Sequence, residues 1–361
     1  MKDKQTVIKT FLDKIYKQQI KNQKYYTFGY QQDYRKMENY DFGYVPFVTG
    51  LKFNEIENII PSTNPNNRCG VIKESTEYIV VHDTASGAPS AGAKAHENWL
   101  MSMATNPEST YSVSWHFTVD EENIINHLPI DEVGYHAGDG TAVKLTFTDT
   151  NVSADGFYPA IIGDDGYFYI NGKKTTVKVP LKEDGTKVTN EELPYQGINT
   201  IIGENGNYYI SNVYFNNSYG ILSNKGGNLN SVGIETCVNY GKDYIKTMRL
   251  TAYLVAKLLK KYNLGLDRVK QHNSFSGKDC PMTIRHANRW EEFLELVDLN
   301  LYYLNNLTEM NVQFISLTPE YLNNEGKVIK HKANEKIKYC VIIDGITYEF
   351  ESTLMPLTFE I

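Results

Sequence analysis

The sequence predicts an α/β fold on three observations. Residues 77–84 contain the consecutive β-branched residues Ile79, Val80 and Val81, the mark of a strand buried on both faces. A second strand begins at Asn230, with Val232, Ile234, Thr236 and Val238 on one side and Gly233, Glu235 and Cys237 on the other. A helix follows it, with Ile245, Met248, Ala252, Val255 and Leu259 at alternating three- and four-residue spacing, and then a short strand over 268–271 and a last helix bearing Trp290, Phe293 and Val297. Strands interleaved with helices in this way ask for a central sheet covered by helices.

Taken in order, the chain opens with Ile8, Phe11, Leu12 and Ile15 at helical spacing, which predicts a helix over about residues 6–20. The polar, aromatic stretch up to Asn67 has little periodicity and reads as an extended arm around the main domain. After the first strand, Ser90 is placed to cap a helix whose Ala95, Trp99 and Met103 share one face. Residues 112–120 alternate, with Val113, Trp115, Phe117 and Val119 on one face and Ser114, His116 and Thr118 on the other, so a strand is expected there. A turn at Asp120-Glu121-Glu122-Asn123 leads to its partner strand.

Residues 141–225 read as a β-rich insertion with an internal repeat. Ile161-Ile162-Gly163-Asp164-Asp165-Gly166 returns as Ile201-Ile202-Gly203-Glu204-Asn205-Gly206, an offset of 40 residues, and Tyr169-Ile170 returns as Tyr209-Ile210. Acidic and Asn/Asp-Gly turns between apolar runs predict two related β-hairpins. The helix over about 245–261 places Lys260 and Lys261 where cations suit its dipole, and Asn263-Leu264-Gly265 stops it. From Asn311 the pattern is β-like, with Asp344-Gly345 as a hairpin turn. The expected divisions are 1–70, a helix and arm; 71–305, the main domain; and 306–361, a small β-rich module.

A chain of 361 residues with 41% apolar residues can bury a substantial core. Its net charge of −7 offers no electrostatic reason for a nucleic-acid partner, and no run of about 18 apolar residues could span a bilayer. The four cysteines, Cys69, Cys237, Cys280 and Cys340, are scattered and form no disulfide framework. Met1-Lys2-Asp3-Lys4-Gln5 leads into an amphipathic segment, not the apolar core of a signal peptide, so synthesis in the cytoplasm is expected.

The chemistry concentrates in Gln271-His272-Asn273-Ser274-Phe275-Ser276-Gly277-Lys278-Asp279-Cys280-Pro281. His272 and Cys280 resemble half of a zinc site, and His82, ending the first strand, would complete it. Two imidazoles and a thiolate suit zinc, and three protein ligands leave a fourth position for water, as catalytic zinc sites require. Asn273 and Asp279 are candidates to orient a ligand from behind. A lone histidine at a strand end is more often structural, and the H-x7-C spacing alone is weak; the constellation carries the reading.

These segments, with Val80-Val81-His82-Asp83-Thr84, Ser114-Trp115-His116-Phe117, Tyr135-His136-Ala137-Gly138-Asp139-Gly140 and Asn230-Ser231-Val232-Gly233-Ile234-Glu235-Thr236-Cys237, resemble the zinc-dependent N-acetylmuramoyl-L-alanine amidases of type 2, the family whose fold peptidoglycan recognition proteins share. The flavour is that of phage and prophage enzymes of Gram-positive bacteria. The resemblance implies a mixed central β-sheet flanked by helices, zinc on His82, His272 and Cys280, and peptidoglycan as substrate. By the same resemblance Glu235 is the general base and Lys278 the oxyanion-stabilising cation, with a solvent-exposed strand carboxylate and a solvated loop lysine as the plain alternatives. His116, His136, Asp139, Thr84 and Asn230 fall on the substrate side, although His136 could equally serve a structural hydrogen bond. Trp115 stands where many members have Tyr and is read as core; His96, His127, His286 and His331 match nothing and are read as surface or packing residues. The enzyme would act on the cell wall, released at host lysis or carried on a virion, with a bacterial autolysin as the alternative. The C-terminal module would meet either cell-wall polymer or phage structural proteins. The rivals are a non-catalytic binding protein of the same fold and another zinc hydrolase, and the absence of H-E-x-x-H removes the helix-borne protease form of the latter.

Overall fold

The computed structural model describes residues 3–22, 51–138, 147–156, 158–181, 185–192, 198, 200–211, 227–276, 278–286, 289–327, 329 and 335–354. Its centre is a six-stranded mixed sheet of β1 (Asn54–Glu57), β2 (Tyr78–Asp83), β3 (Phe117–Val119), β4 (Asn123–Asn126), β11 (Ser231–Thr236) and β12 (Val269–Gln271), in the order β1-β4-β3-β11-β2-β12. Neighbouring strands are parallel throughout, except that β3 and β4 form an antiparallel hairpin. Every residue of β2 is buried, as its β-branched run requires.

One face of the sheet, with Ile79, Val81, Val232 and Ile234, packs on α3 (Tyr244–Tyr262) and α6 (Trp290–Asn306) to make the main core. Asp243 caps α3 by accepting from the Lys246 N–H at 3.0 Å, and Asn263 ends it in the left-handed region at φ 53°. On the other side, α2 (Ala93–Thr105) packs against β3 and β4. Its cap differs from expectation: Gly92, not Ser90, occupies the N-cap, and Asp120, in the turn after β3, accepts from the Ala93 N–H at 2.8 Å. Its buried face also differs. Ala93, Glu97, Leu100, Met103 and Ala104 face inward, so Ala95 and Trp99 look outward although Met103 is buried as expected. The strand expected over 112–120 shortens to Phe117–Val119, and both of its faces are buried because helices and loops cover each side.

The insertion folds as two three-stranded antiparallel sheets. β6 (Ala160–Ile162), β7 (Tyr167–Ile170) and β8 (Lys173–Lys178) form one; β5 (Phe147–Ser153), β10 (Asn207–Ser211) and β9 (Thr200–Ile202) form the other. The two repeat turns are equivalent in space. Gly166 and Gly206 take φ of 77° and 79°, and a Cβ on Gly163 or Gly203 would lie 2.3 Å from the ring of Tyr169 or Tyr209. The sheets share a core that includes Val152, Phe168, Ile170, Tyr208 and Ile210.

The end module is β13 (Val312–Ser316), β14 (Glu335–Ile343) and β15 (Ile346–Leu354), with Asp344 and Gly345 at positive φ in the hairpin turn. α1 (Lys4–Asn22) does not belong to a separate arm. Its Val7, Ile8, Phe11 and Ile15 join Leu299, Leu307, Val341 and Ile343 in one core, so both ends of the chain build the same module. The arm's described portion supplies the sheet edge β1, and residues 23–50 lie outside the described residues. No helix among the described residues is long and apolar enough to cross a membrane.

Candidate metal centre and active-site cleft

Three adjacent parallel strands deliver the site at their C-terminal ends. Register pairs His82 of β2 with Glu235 of β11, and Gln271 of β12 with Val81, so His272 comes level with His82 on the next strand. Register partners on parallel strands point to the same face. The His272 N–H reaches back to the Val81 carbonyl at 3.4 Å. Ligand sites of open α/β sheets form beyond the carboxyl ends of the strands, which is where this row stands.

The loop after β12 then folds over the row. The Asn273 N–H donates to the Cys280 carbonyl at 3.0 Å and its side-chain amide to the Lys278 carbonyl at 2.9 Å, closing the loop on itself. Asp83 holds the far side, accepting from the Thr283 N–H at 2.8 Å and hydroxyl at 3.0 Å, at the start of α5 (Met282–His286). Asp279 pairs with Arg285. Cys280 Sγ is thereby set 3.7 Å from His82 Nδ1, and His82 Nδ1 lies 3.9 Å from a Glu235 oxygen.

One ligand atom each from His82, His272 and Cys280 lies within 4.8 Å of the others, and all three residues are buried. Burial, then the neighbouring His272, His136 and Lys278, holds His82 well below the usual imidazole range; burial and Lys278 do the same to His272, so both present neutral nitrogens. His272 Nδ1 is buried with no hydrogen-bond partner among the described residues. Burial, reinforced by Asp83, pushes the Cys280 thiol well up, a state a bound cation would reverse. An orphaned imidazole nitrogen and a soft N/N/S donor set fit a zinc ion.

Behind His82 runs a hydrogen-bonded chain. With Nδ1 turned to the donor cluster, His82 Nε2–H donates to His136 Nδ1 at 3.0 Å. His136 Nε2 lies 3.4 Å from the Ser231 hydroxyl, which donates to the Gly227 carbonyl. Burial, with Lys73 adding, pulls His136 down to about 3, so it stays a neutral acceptor. Its ring lies flat over Gly233, where an added Cβ would sit 2.5 Å away. His136 is thus buried behind the donor cluster and bonded to His82, and it is not among the residues that line the adjoining cleft.

His116 is corrected in the same way. It is fully buried, with Nε2 donating to the Glu132 carbonyl at 2.9 Å and Nδ1 accepting from the Gly233 N–H at 3.0 Å. The strand alternation that sent it toward the cleft fails because the loop holding Glu132 covers that face. Asn230 is buried at the start of β11, five residues before Glu235 and roughly 16 Å away at strand rise, where its carbonyl accepts from the Glu77 and Tyr78 N–H groups. It belongs to the wrong end of the sheet for substrate. Asp139 lies outside the described residues.

A cleft of about 420 Å³ adjoins the donor cluster, lined by Thr84, Ser86, Ala91, Ala95, His96, Trp99, Trp115 and Glu235. Thr84 lines this cleft, and its hydroxyl has no partner among the described residues. Ala85 beside it takes φ 51°, a left-handed conformation that strains an alanine by about 1 kcal/mol. Trp115 is 5% exposed and its indole N–H donates to the Thr118 hydroxyl at 2.7 Å, so that N–H is not free for a substrate; its ring forms part of the cleft lining. His96 and Trp99 were missed. The signal was the turn of α2, since His96, Trp99 and Ala95 fall on the face opposite Glu97, Leu100 and Ala104.

Glu235 faces both cluster and cleft. Burial, aided by Asp83 and opposed by Lys278, pushes its carboxyl up to about 8, and one of its oxygens makes no hydrogen bond among the described residues. Lys278 is exposed on the loop, and its charge is felt at His82, His272, Glu235 and Cys280.

The sequence profile of the N-acetylmuramoyl-L-alanine amidase family Amidase_2 matches residues 73–283, more than half of the chain. The chain belongs to this family. It is 29% identical to N-acetylmuramoyl-L-alanine amidase CwlH of Bacillus subtilis over 238 residues, 66% of this chain and 58% of that one. With XlyA, an N-acetylmuramoyl-L-alanine amidase of the same organism, identity is 27% over 240 residues, 66% of this chain and 50% of the relative. The chain thus spans about half the length of these curated relatives. The solved catalytic domain of XlyA aligns over 68% of this chain and 99% of that one, at 26% identity and a TM-score of 0.40.

Proposed function

We propose that the chain hydrolyses the amide bond between N-acetylmuramic acid and L-alanine in bacterial peptidoglycan, with a zinc ion held by His82, His272 and Cys280. The observation that carries this is the convergence of those three donors, within 4.8 Å of one another, beside the partly buried Glu235. When bound, zinc supplies a Lewis acid that lowers the pKa of water toward about 7 and polarises a carbonyl.

The protein's own groups do the rest. Glu235 takes a proton from the attacking water and returns it to the leaving nitrogen; a carboxyl raised to about 8 holds and releases a proton near neutrality. Lys278 places a fixed cation at the rim, where it stabilises negative charge that develops on the carbonyl oxygen only in the transition state. The Thr84 hydroxyl offers the substrate a hydrogen bond, and His136 keeps His82 in the tautomer and orientation that metal binding needs. Water is the nucleophile, so no covalent enzyme intermediate forms. Retention of all three donors speaks for an enzyme over a binding protein of the same fold. The place of action follows from the substrate, the bacterial cell wall, whether as a phage lysin or an autolysin. Chelation should stop the clearing of a cell-wall suspension and added zinc should restore it; clearing that survives complete zinc removal would overturn the proposal.

A further inference from the structure

The cleft has a wall that the hydrolytic step does not use. Trp99, on the outward face of α2, is 42% exposed, and its ring lies nearly parallel to that of Trp115, with centroids 5.9 Å apart and planes inclined by 19°. Trp115 is fixed from below by its bond to Thr118 and by the core of Ile60, Leu100, Met103 and Leu128. An exposed indole backed by a buried one is a rigid flat surface, and it loses little conformational freedom when a ligand covers it. Continuous with it are Ala91, Ala95 and His96, and the cleft ends at Glu235.

We infer that Trp99 and Trp115 form a sugar-stacking subsite that seats the pyranose ring of the muramyl unit next to the scissile amide; this rests on the amidase reading above. The face of an indole carries negative charge density, which attracts the partly positive C–H bonds on the apolar face of a pyranose. The wall is uncharged except for Glu235 itself, which suits a neutral sugar ring, whereas the peptide side of the substrate ends in a carboxylate that an exposed cation such as Lys278 meets better. A cleft of about 420 Å³ is within the size range of small-ligand sites, large enough for one substituted sugar ring. His96 adds a polar atom at the wall: its Nε2 is buried with no partner among the described residues, and burial keeps the ring neutral, leaving a lone pair for a hydroxyl or amide N–H. Trp99 is therefore a specificity residue that separates sugar-bearing substrate from bare peptide.

The test is tryptophan-fluorescence titration of the zinc-loaded full chain carrying Glu235→Gln, so that ligand is bound but not cut. Two of the three tryptophans lie at the subsite, so occupancy changes the emission. Muramyl dipeptide should quench saturably, and adding Trp99→Ala should raise its Kd about tenfold, while Trp99→Tyr recovers most of the affinity. The same dipeptide without the sugar should bind equally to both proteins. An unchanged Kd for muramyl dipeptide in Trp99→Ala, or an equal loss for the bare dipeptide, would overturn the subsite. Failure of the amidase reading shows separately, as no release of L-alanine amino termini from sacculi by the zinc-loaded wild-type chain.

Discussion

The two ends of β11 sit in one sheet and differ in how their polar groups are satisfied. At the start of the strand, Ser231, His116, His136 and Lys73 form a closed network: His116 uses both ring nitrogens, and Lys73 donates to the Ile130 and Ser231 carbonyls at 2.7 and 2.9 Å. At the end of the strand, Thr84 Oγ1, Glu235 Oε2 and His272 Nδ1 are buried without hydrogen bonds among the described residues. Buried polar groups are nearly always paired, so three orphans within one cluster mark where ligands complete the structure. Under the proposed function, the closed network orients a metal ligand and the open end carries the chemistry.

Perturbing the open end should have the largest effects. Cys280→Ala removes one of three donors, so bound zinc should fall to near zero by elemental analysis and wall-clearing activity should vanish. Glu235→Gln keeps the volume and removes the base: activity should fall by about 10³-fold with zinc content unchanged, and near-wild-type turnover would remove Glu235 from the mechanism. Next comes the closed end. His136→Ala should leave the protein folded and weaken zinc binding about 10–100-fold in a competition titration, because His82 loses the partner that orients it. Zinc affinity equal to wild type would show that the network serves the fold alone.

A further effect is on stability. The folded-state pKa of Glu235, about 8, lies above its ordinary value of 4.5 because burial disfavours the carboxylate. The folded state therefore binds this proton more tightly than the unfolded one. The resulting stability is complete below about pH 4.5 and is lost as pH rises to 8. Metal-free Glu235→Gln does not titrate there, so its advantage over metal-free wild type in urea denaturation should grow from pH 4.5 to 8, reach on the order of 5 kcal/mol, and then level off. A pH-independent difference would mean that the carboxyl is not desolvated.

Much of this division was legible in the sequence because parallel strands place residues by register. The β-branched run before His82 and the alternation through Glu235 fixed both strands and the face each side chain takes. The repeat turns at Gly163–Gly166 and Gly203–Gly206 were legible from glycine chemistry alone. What failed depended on coverage. His116 lies on the polar side of an alternating run, yet a loop from 16 residues downstream closes over it. Ser90 had the right chemistry for a cap, but Asp120 reached the helix first from the turn after β3. Trp99 looked like core because an apolar ring at helical spacing gives no sign that the neighbouring surface is a cleft. The docking of α1 onto the C-terminal module joins residues some 300 positions apart, and no local pattern encodes that.

The central claim is tested most directly by the ends that the protein creates. Purified sacculi digested with the zinc-loaded chain and analysed by mass spectrometry should gain free L-alanine amino termini matched by unsubstituted lactyl carboxylates, and the metal-free chain should produce neither. New reducing sugar ends, cleavage within the peptide, or products independent of zinc would contradict the account.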